Sequence, residues 1–330
     1  MPGDLVGYHE ISRETLYRRM LEFEQLGFIE NDPGGEFRTT RAGWLALQAY
    51  TQVSTRLGVE PLAYLAGASS RRTLIRTLTE SPADKSTLAA DPELPSRSTI
   101  HRTLAQFDGY GWLARTSDGR SRSNQSGALA LEQLEWLYTA ITEAIEKAPA
   151  LRTMAYWADP ALHTLVGSEL LTRTPGVPNT MLNAVVDASG LRSGEFERLQ
   201  AVAPAVDSVT YERFSASLSE ANIQLLLDQR AYRHLSCPRN HHRLATLLTA
   251  STIDVRVHPD PLYTVLAIFN NNRVLVGGSM RTGRSDSVVG TTVRLKNWAT
   301  TTFETLWAEG RPVDPRLRIW IKRSPTSASK

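Results

Sequence analysis

Apolar residues recur at helical spacing through the first 150 residues of the chain. Ile100, Leu104 and Phe107 stand at i, i+4 and i+7, which predicts one buried stripe on a helix. Ser96 comes directly before this segment and is a favourable N-cap residue. The pattern leaves the polar residues of the first turn facing outward, at the end that a helix-turn-helix protein points at base edges in the major groove.

Other elements are predicted on both sides of this helix. Residues 65–78 and 85–90 read as two preceding helices, and residues 92–95 read as the turn before the third. After the helix, Trp112 begins an apolar strand, and residues 116–119 form a polar turn whose glycine suits a positive φ. The order predicts three helices followed by a hairpin, which is the order of a winged helix.

This pattern occurs twice, with an offset of 84 residues. Residues 12–30 align with residues 96–114 without a gap. The identical pairs are Ser12/Ser96, Arg13/Arg97, Thr15/Thr99, Arg18/Arg102, Phe23/Phe107, Gly27/Gly111, Gly35/Gly119, Arg38/Arg122, Gly43/Gly127 and Leu47/Leu131. An internal repeat fixes architecture before any single residue is interpreted, so we expect two tandem copies of one unit.

The candidate DNA-binding residues are the outward polar residues of the helix and the arginines of the hairpin. In copy two they are Arg97, Ser98, Thr99, His101, Arg102, Arg115, Arg120 and Arg122, and in copy one they are Arg13, Tyr17, Arg18 and Arg38. The helix residues are expected to reach bases and the hairpin residues to reach phosphates or a minor groove. The alternative for one copy alone is a solvated polar face.

Copy one begins late in the chain, because only ten residues precede the turn at Ile11 and Ser12. No first helix is available for it. Two explanations stay open: the gene start is misplaced, or copy one is a remnant that a partner completes.

A further helical stripe follows the second copy. Leu134, Leu137, Ile141 and Ile145 are spaced by 3, 4 and 4 residues, and Pro149 is expected to close the helix. The helix is expected either to pair with its twin, setting the spacing of two DNA half-sites, or to pack on its own domains.

The second half of the chain alternates short apolar runs with amphipathic ones. Strands are predicted at residues 223–227, 253–258, 264–269 and 273–276, and helices at residues 239–250 and 298–307. The last two strands are expected to form a hairpin that turns at Asn270, Asn271 and Asn272. This alternation predicts an α/β sheet domain.

Composition limits the class of protein. Hydrophobic residues make up 41% of 330 residues and are spread along the chain, which predicts several packed domains in a cytoplasmic protein. No apolar run is long enough to cross a bilayer, so no membrane partner is expected. The one cysteine, Cys237, excludes an internal disulfide. Residues 1–150 carry 16 basic and 19 acidic residues, so DNA binding depends on local arginines rather than on bulk charge.

Residues 61–131 resemble the winged-helix regulators that are abundant in haloarchaea and related to the TrmB family of archaeal transcription factors. The segment 257–279 is similar to half of a phospholipase D fold, as found in TrmB-type sensor domains. The resemblance covers nearly the whole chain. It implies an α+β / α/β fold class with tandem winged helix-turn-helix units, a helical linker and an α/β phospholipase D-like regulatory domain.

Five segments follow from the repeat and the resemblance together. They are a first winged-helix unit without its first helix at 1–50, a second winged-helix DNA-binding domain at 58–130, a linker or dimerisation helix at 131–149, an α/β regulatory domain at 150–312 and a basic tail at 313–330.

The phospholipase D resemblance implies ligand binding or dimerisation rather than catalysis. The family signature needs a histidine nucleophile, a lysine two residues later and a following aspartate. Asp260 stands where the lysine is expected after His258, and Val265 stands at the position of the aspartate. Without the lysine there is no cation to hold a phosphate, so no enzyme activity is expected. His258, Asp260, Ser279 and Arg281 are retained as candidate ligand-binding residues.

Two other clusters carry weaker signals. His234, Cys237, His241 and His242 are residue types that bind metals, but His241 and His242 point in different directions on one helix, and we predict no metal. The run Gly277-Gly278-Ser279 is expected either to cradle an anion or to make a tight turn.

Together these features predict a sequence-specific DNA-binding transcriptional regulator. We expect double-stranded DNA and a second copy of the chain as partners, a small-molecule effector and no cofactor. The alternative is a protein-interaction factor of the transcription machinery that uses its winged helices for docking, and salt dependence separates the two.

Overall fold

A computed structural model describes residues 12–155, 158–172, 196–205, 221–278 and 286–313. The chain divides into two compact units. The sheet unit comprises residues 1–43 and 143–330, and the helical unit comprises residues 44–142. Ser279 and Arg281, two of the candidate ligand-binding residues, lie outside the described residues.

Copy one begins the described chain. Its elements are α1 (Arg13–Gln25), β1 (Ile29–Asn31), β2 (Phe37–Thr39) and α2 (Arg41–Leu57). Ser12 caps α1, because its hydroxyl accepts the backbone N–H of Thr15. The strands pair antiparallel, with Glu30 opposite Arg38.

Copy two follows, with three additional helices upstream of the helix that corresponds to α1. Its elements are α3 (Val59–Ala66), α4 (Ser69–Glu80), α5 (Lys85–Ala90), α6 (Arg97–Gly109), β3 (Leu113–Arg115), β4 (Ser121–Ser123) and α7 (Gln125–Leu151). Helices at 85–90 and after Ser96 are therefore confirmed. The single helix predicted at 65–78 is wrong, because Gly67 ends α3 and Ala68 adopts an extended conformation before α4 begins.

The apolar stripe of α6 is buried as predicted. Ile100, Leu104 and Phe107 are 4% exposed or less, and Thr103 is buried with them. Leu74, Ile75 and Leu78 of α4 and Leu88 of α5 are also buried. The second copy is thus a closed helical core with a hairpin attached.

The linker helix is longer than predicted. It starts at Gln125 and runs two residues beyond Pro149, which was expected to end it. Pro149 has no N–H to donate to the carbonyl of Ile145, and the helix nevertheless continues to Leu151. Leu134 and Leu137 are buried within the single chain. This burial agrees with packing on its own chain and leaves this part of the stripe covered.

The sheet unit contains an eight-stranded sheet in the described part of the chain. The elements of this unit are α8 (Leu162–Leu165), β5 (Glu169–Leu171), β6 (Arg198–Ala203), β7 (Asn222–Asp228), α9 (Gln229–Ser236), α10 (His241–Thr249), β8 (Ile253–His258), β9 (Thr264–Phe269), β10 (Arg273–Gly278), β11 (Ser287–Gly290), α11 (Val293–Glu309) and β12 (Arg311–Pro312). The order of the strands in the sheet is β12-β8-β7-β6-β9-β10-β11-β5. β6, β7 and β8 are parallel, and β9, β10, β11 and β5 continue the sheet antiparallel.

Successive residues of the central strand β7 face opposite sides of this sheet. Leu225 and Leu227 belong to a core that also includes Leu244 and Leu247 of α10. Leu226, which points the other way, lies against Gly310 at the end of α11. Helices therefore cover both faces, and the expected mixed helix and sheet architecture is confirmed.

The four strands predicted for this half are present with small differences in bounds, and β5, β6, β11 and β12 were not predicted. The strands at 253–258 and 264–269 are confirmed. Asn270 and Asn271 make the predicted turn, with φ angles of 50° and 54°. β6 was missed, because its polar Gln200 interrupts the apolar pattern, yet Gln200 is buried and donates to Gln224 on β7 at 2.8 Å. α9 was missed because it begins directly after β7, capped by Asp228.

Gly277 and Gly278 are strand residues of β10 rather than the expected turn. Gly277 faces Ser287 on β11 so closely that a Cβ atom has no room. Close strand approach therefore explains this glycine, and an anion cradle does not. Among the described residues, no helix has both the length and the apolar character that a bilayer crossing requires.

Candidate nucleic-acid interface

The outward face of α6 carries the candidate base-contacting residues. Arg97, Ser98 and Arg102 are exposed at the N-terminal part of the helix, opposite the buried stripe. Neither arginine has an ion pair among the described residues. Ser96 occupies the N-cap position, but its hydroxyl contacts the hydroxyls of Ser98 and Thr99 at 3.2 and 3.1 Å. The side-chain cap of the backbone predicted there is therefore absent.

His101 and Thr99 are placed less favourably than the sequence suggested. Both are half-buried, and the Nε2 atom of His101 is buried without a hydrogen-bond partner among the described residues. The prediction that His101 faces outward is therefore only partly correct, because its side chain is half-buried and its Nε2 atom is not accessible to solvent. Of the candidate residues on α6, Arg97, Ser98 and Arg102 are therefore the exposed ones.

The hairpin β3–β4 is tied to the helices as well as to itself. Ala83, just before α5, exchanges two backbone hydrogen bonds with Ser121, each of 2.9 Å. Gly119 at the tip has the predicted positive φ, at 81°. The hairpin is thus held in a fixed position beside α5, where its arginines can act together with α6.

The hairpin arginines differ in how they are held. Arg115 donates to the Gly119 carbonyl at 3.2 Å and to the Ser121 hydroxyl at 3.0 Å. Arg120 pairs with Asp118 at 2.6 Å, and this hydrogen bond is the main cause that lowers the pKa of Asp118 to about 2. Arg122 is exposed and has no ion pair among the described residues. It is the hairpin arginine most available to a phosphate.

Copy one reproduces this geometry element by element. Gly27 and Gly111 end the two equivalent helices with φ angles of 77° and 70°. Their carbonyls accept hydrogen bonds from equivalent side chains, Thr40 at 2.5 Å and Asn124 at 2.8 Å. The repeat predicted from sequence is therefore also a repeat of structure.

The candidate residues of copy one are exposed. Arg13, Tyr17 and Arg18 lie on the solvent side of α1. Arg38 on β2 is exposed but pairs with Asp32 at 2.8 Å. The hairpin of copy one therefore presents less free positive charge than that of copy two.

The apolar stripes of the two copies differ sharply in burial. Phe107 is fully buried, whereas its counterpart Phe23 is 48% exposed. Leu16 and Met20 are half-buried, whereas the counterparts Ile100 and Leu104 are buried. No residue of α1 is buried. Copy one therefore presents a surface where copy two has a core.

The start of α5 was not among the DNA-binding sites predicted from the sequence. Lys85, Ser86 and Thr87 are exposed there, and α5 packs against α6. The Asp84 carboxylate caps the helix by accepting the Thr87 N–H at 2.8 Å. Hydrogen bonds lower the pKa of Asp84 to about 2, and the bond from the Ser86 hydroxyl has the largest effect. An N-cap residue followed by lysine was the available signal. The exposed ammonium of Lys85 at this helix start suits a phosphate.

The candidate ligand site around His258 is occupied by protein groups. His258 is buried at the end of β8, where its Nδ1 accepts the Asp260 N–H at 3.1 Å and its Nε2 lies 3.0 Å from a Glu309 carboxylate oxygen. Asp260 itself is exposed. These contacts join the end of β8 to the end of α11.

The histidine and cysteine cluster is organised by an amide. Asn240 is buried and its side-chain nitrogen lies 3.1 Å from His234 Nε2 and 3.5 Å from Cys237 Sγ. His241 Nδ1 lies 2.6 Å from the Pro238 carbonyl. Among the described residues, no three His, Cys, Asp or Glu side chains are grouped to hold a metal ion.

Two family models match separate parts of the chain. The model described as HVO_A0261 N-terminal domain matches residues 59–146, and the model described as Methanogenesis regulatory protein FilR1, middle domain, matches residues 182–309. Both descriptions agree with the coarse prediction of a regulator-type protein. No curated protein matches the sequence.

Three solved structures are distantly similar to the chain. Nuc from Salmonella typhimurium, a phospholipase D family member, is 11% identical over 44% of this chain and 97% of its own, with a TM-score of 0.36. TrmBL2, an archaeal chromatin protein described as showing a novel mode of DNA binding, is 12% identical over 74% and 92%, with a TM-score of 0.34. NucT from Helicobacter pylori is 10% identical over 44% and 98%, with a TM-score of 0.33. At these values the likeness carries no conclusion about the site.

Proposed function

We propose that this protein is a sequence-specific transcriptional regulator that binds double-stranded DNA through its helical unit. In this proposal α6 enters the major groove as the recognition helix of a winged helix-turn-helix. The hairpin β3–β4 and the start of α5 contact phosphates on either side. A homodimer on a palindromic site is the expected binding form, because two half-sites are the usual source of specificity.

One observation carries the proposal: α6 buries its whole apolar stripe and leaves Arg97, Ser98 and Arg102 outward beside a fixed hairpin. Arginine can donate two hydrogen bonds to guanine O6 and N7, which is the commonest specific base contact. Arg122 and Lys85 then provide the charge that positions the helix.

The test is a salt titration of the full-length protein on DNA. Fragments recovered with the protein from its own genome would serve as specific DNA, and shuffled fragments of equal length as control. We expect specific fragments to bind more tightly at every salt concentration, with log K falling by about 0.9 per phosphate contact for each tenfold rise in salt. Equal affinity for both DNAs would refute sequence-specific binding.

A second candidate function has an observation of its own. On α2, the large side chains of Trp44, Leu47 and Tyr50 are 51%, 50% and 41% exposed. Exposed apolar groups of this size favour protein docking, as expected of an interaction factor of the transcription machinery. Binding that changes little with salt and is lost in Trp44→Ala would support this candidate instead.

We further propose that the sheet unit regulates DNA binding without catalysis. The lysine position of the phospholipase D signature is Asp260, and both nitrogens of His258 contact protein groups. The purified protein should show no hydrolysis of bis(p-nitrophenyl) phosphate under conditions where a phospholipase D family nuclease does. An effector acting through this unit is expected to shift DNA affinity by about 5- to 150-fold.

A further inference from the structure

We propose that the apolar face of α1 is the surface through which two copies of this chain pair, antiparallel about a two-fold axis. The α1 face is defined by Leu16, Met20 and Phe23. This surface would form the homodimer expected in the proposed function. The observations that support it come from the sequence repeat rather than from DNA binding.

The repeat shows what this face requires. In copy two the equivalent residues Ile100, Leu104 and Phe107 are 0%, 4% and 0% exposed, and helices α4 and α5 bury their own leucines in the same unit. In the described part of copy one no helix precedes α1. The corresponding helix of copy one therefore has a core-forming face that the described residues of its own unit cover only in part.

The exposed area is concentrated on a short helix. Phe23 and Leu26 are 48% and 39% exposed, and the ring of Phe23 has one aromatic neighbour, Phe28, at 6.4 Å between centroids. Large apolar side chains that are contiguous and exposed mark interaction surfaces in most proteins. DNA is a poor occupant for this face because it offers mainly charged phosphates and polar base edges.

Charge along α1 identifies the occupant as a second copy. The N-terminal half of the helix is basic and the C-terminal half is acidic. The charged residues that border the α1 face are Arg13 and Arg19 in the first half and Glu22 and Glu24 in the second, and Arg19 also pairs with Glu22 within the helix at 2.8 Å. An antiparallel pair places each basic half over the acidic half of the other copy, and a parallel pair places like charges together. A two-fold axis therefore passes near Met20, and the interface is self-complementary.

This pairing leaves the candidate DNA-contacting side of α1 free. Tyr17 and Arg18 follow the α1 face by about 100° and 200° around the helix from Leu16, given 3.6 residues per turn. Leu21, which is 37% exposed, lies on that same outward side. Leu21 consequently provides a matched control position that is apolar, exposed and outside the proposed contact.

The first test measures association of the full-length protein without DNA, by sedimentation velocity over a dilution series. We expect the wild type to dimerise and Phe23→Glu to raise the dimer dissociation constant by about 10- to 100-fold, as for a central apolar contact. Leu21→Glu should leave it unchanged. Since α1 contains no buried residue, both variants should keep the wild-type circular dichroism spectrum.

The second test locates the two-fold axis. In a Cys237→Ser background, Met20→Cys should form an intermolecular disulfide under mild oxidation, because central residues of paired helices face each other across about 8–10 Å between axes. Leu21→Cys should not. A monomeric wild type, a dimer unaffected by Phe23→Glu, or cross-linking at position 21 instead of 20 would each overturn the inference. DNA affinity measured separately on a single half-site distinguishes these outcomes from failure of the proposed function.

Discussion

Arginine side chains around α6 fall into two groups according to their partners. Arg115 and Arg120 are held by groups of the hairpin itself, whereas Arg97, Arg102 and Arg122 have no ion pair among the described residues. An arginine already paired must exchange one partner for another when it meets a phosphate. The second group is therefore expected to contribute most to DNA binding.

At the residue scale, Arg97→Ala and Arg102→Ala should each weaken binding to the specific site by about 1–3 kcal/mol, because in the proposed function each removes a base contact. Binding to shuffled DNA should weaken less. Fluorescence anisotropy with both DNAs measures the difference. Arg76→Ala is the matched control, since Arg76 pairs with Glu135 at 2.6 Å on α7. Equal losses on specific and shuffled DNA would assign these arginines to the phosphate backbone.

The hairpin gives a second prediction at this scale. Arg122→Ala should reduce the salt slope by about 0.9, and Arg120→Ala should reduce it less, because Asp118 already offsets the charge of Arg120. Asp118→Asn should then strengthen binding to any DNA. The pKa of Asp118 is lowered to about 2, so the pair is present above that pH and is lost only as pH falls through it. The variant, rather than a pH change near neutrality, is thus the way to release Arg120.

The junction between the hairpin and the following helix is closely packed in both copies. Gly127 lies against the Trp112 carbonyl, and Gly43 lies against the Phe28 carbonyl at the equivalent place. In both copies the backbone passes so closely that only glycine fits. This identity in the sequence repeat therefore has a steric cause.

At the element scale, Gly127→Ala should destabilise the helical unit by about 1–3 kcal/mol, because the new methyl group would overlap backbone atoms. Gly109→Ala is the control on α6, where an added Cβ has no neighbour within 4 Å. It should stabilise by about 0.5–1 kcal/mol, since alanine favours a helix. Urea unfolding of the two variants should give midpoints that shift in opposite directions. Shifts of the same sign would contradict the steric explanation.

The two compact units do not follow one another along the sequence, because the sheet unit includes residues from both sides of the helical unit. Residues 12–43 of copy one belong to the same compact unit as the eight-stranded sheet. Arg41 helps to hold them there: its side chain is 13% exposed, donates to the carbonyls of Met154 and Ala155 at 3.1 and 2.8 Å, and pairs with Asp159 at 3.0 Å. A structural change near Met154, Ala155 or Asp159 can therefore be transmitted to copy one through Arg41.

At the scale of the whole molecule, Arg41→Ala should destabilise copy one by about 1–3 kcal/mol, because it leaves carbonyls and a carboxylate without their donor. Hydrogen exchange should accelerate at β1 and β2 while amides of α4 in the helical unit keep their protection. Arg56→Ala serves as control, since Arg56 makes an exposed contact with Gln133. Uniform acceleration in both units would show that they unfold as one.

The sequence by itself determined the repeat, its recognition helices and hairpins, and four of the eight described strands of the sheet. These features depend on spacing between neighbours: Ile100, Leu104 and Phe107 mark a helix face because 3.6 residues make a turn. Glycines at the ends of α1 and α6 likewise reflect local φ angles.

Only the tertiary structure decided which apolar faces are covered and which charges are free. Phe23 and Phe107 occupy equivalent positions in the sequence repeat, yet one is 48% exposed and the other fully buried. The sequence also did not predict that the polar Gln200 is buried or that Arg41 pairs with Asp159. Burial and ion pairing depend on residues that are distant along the chain, and the spacing of neighbouring residues contains no information about those contacts.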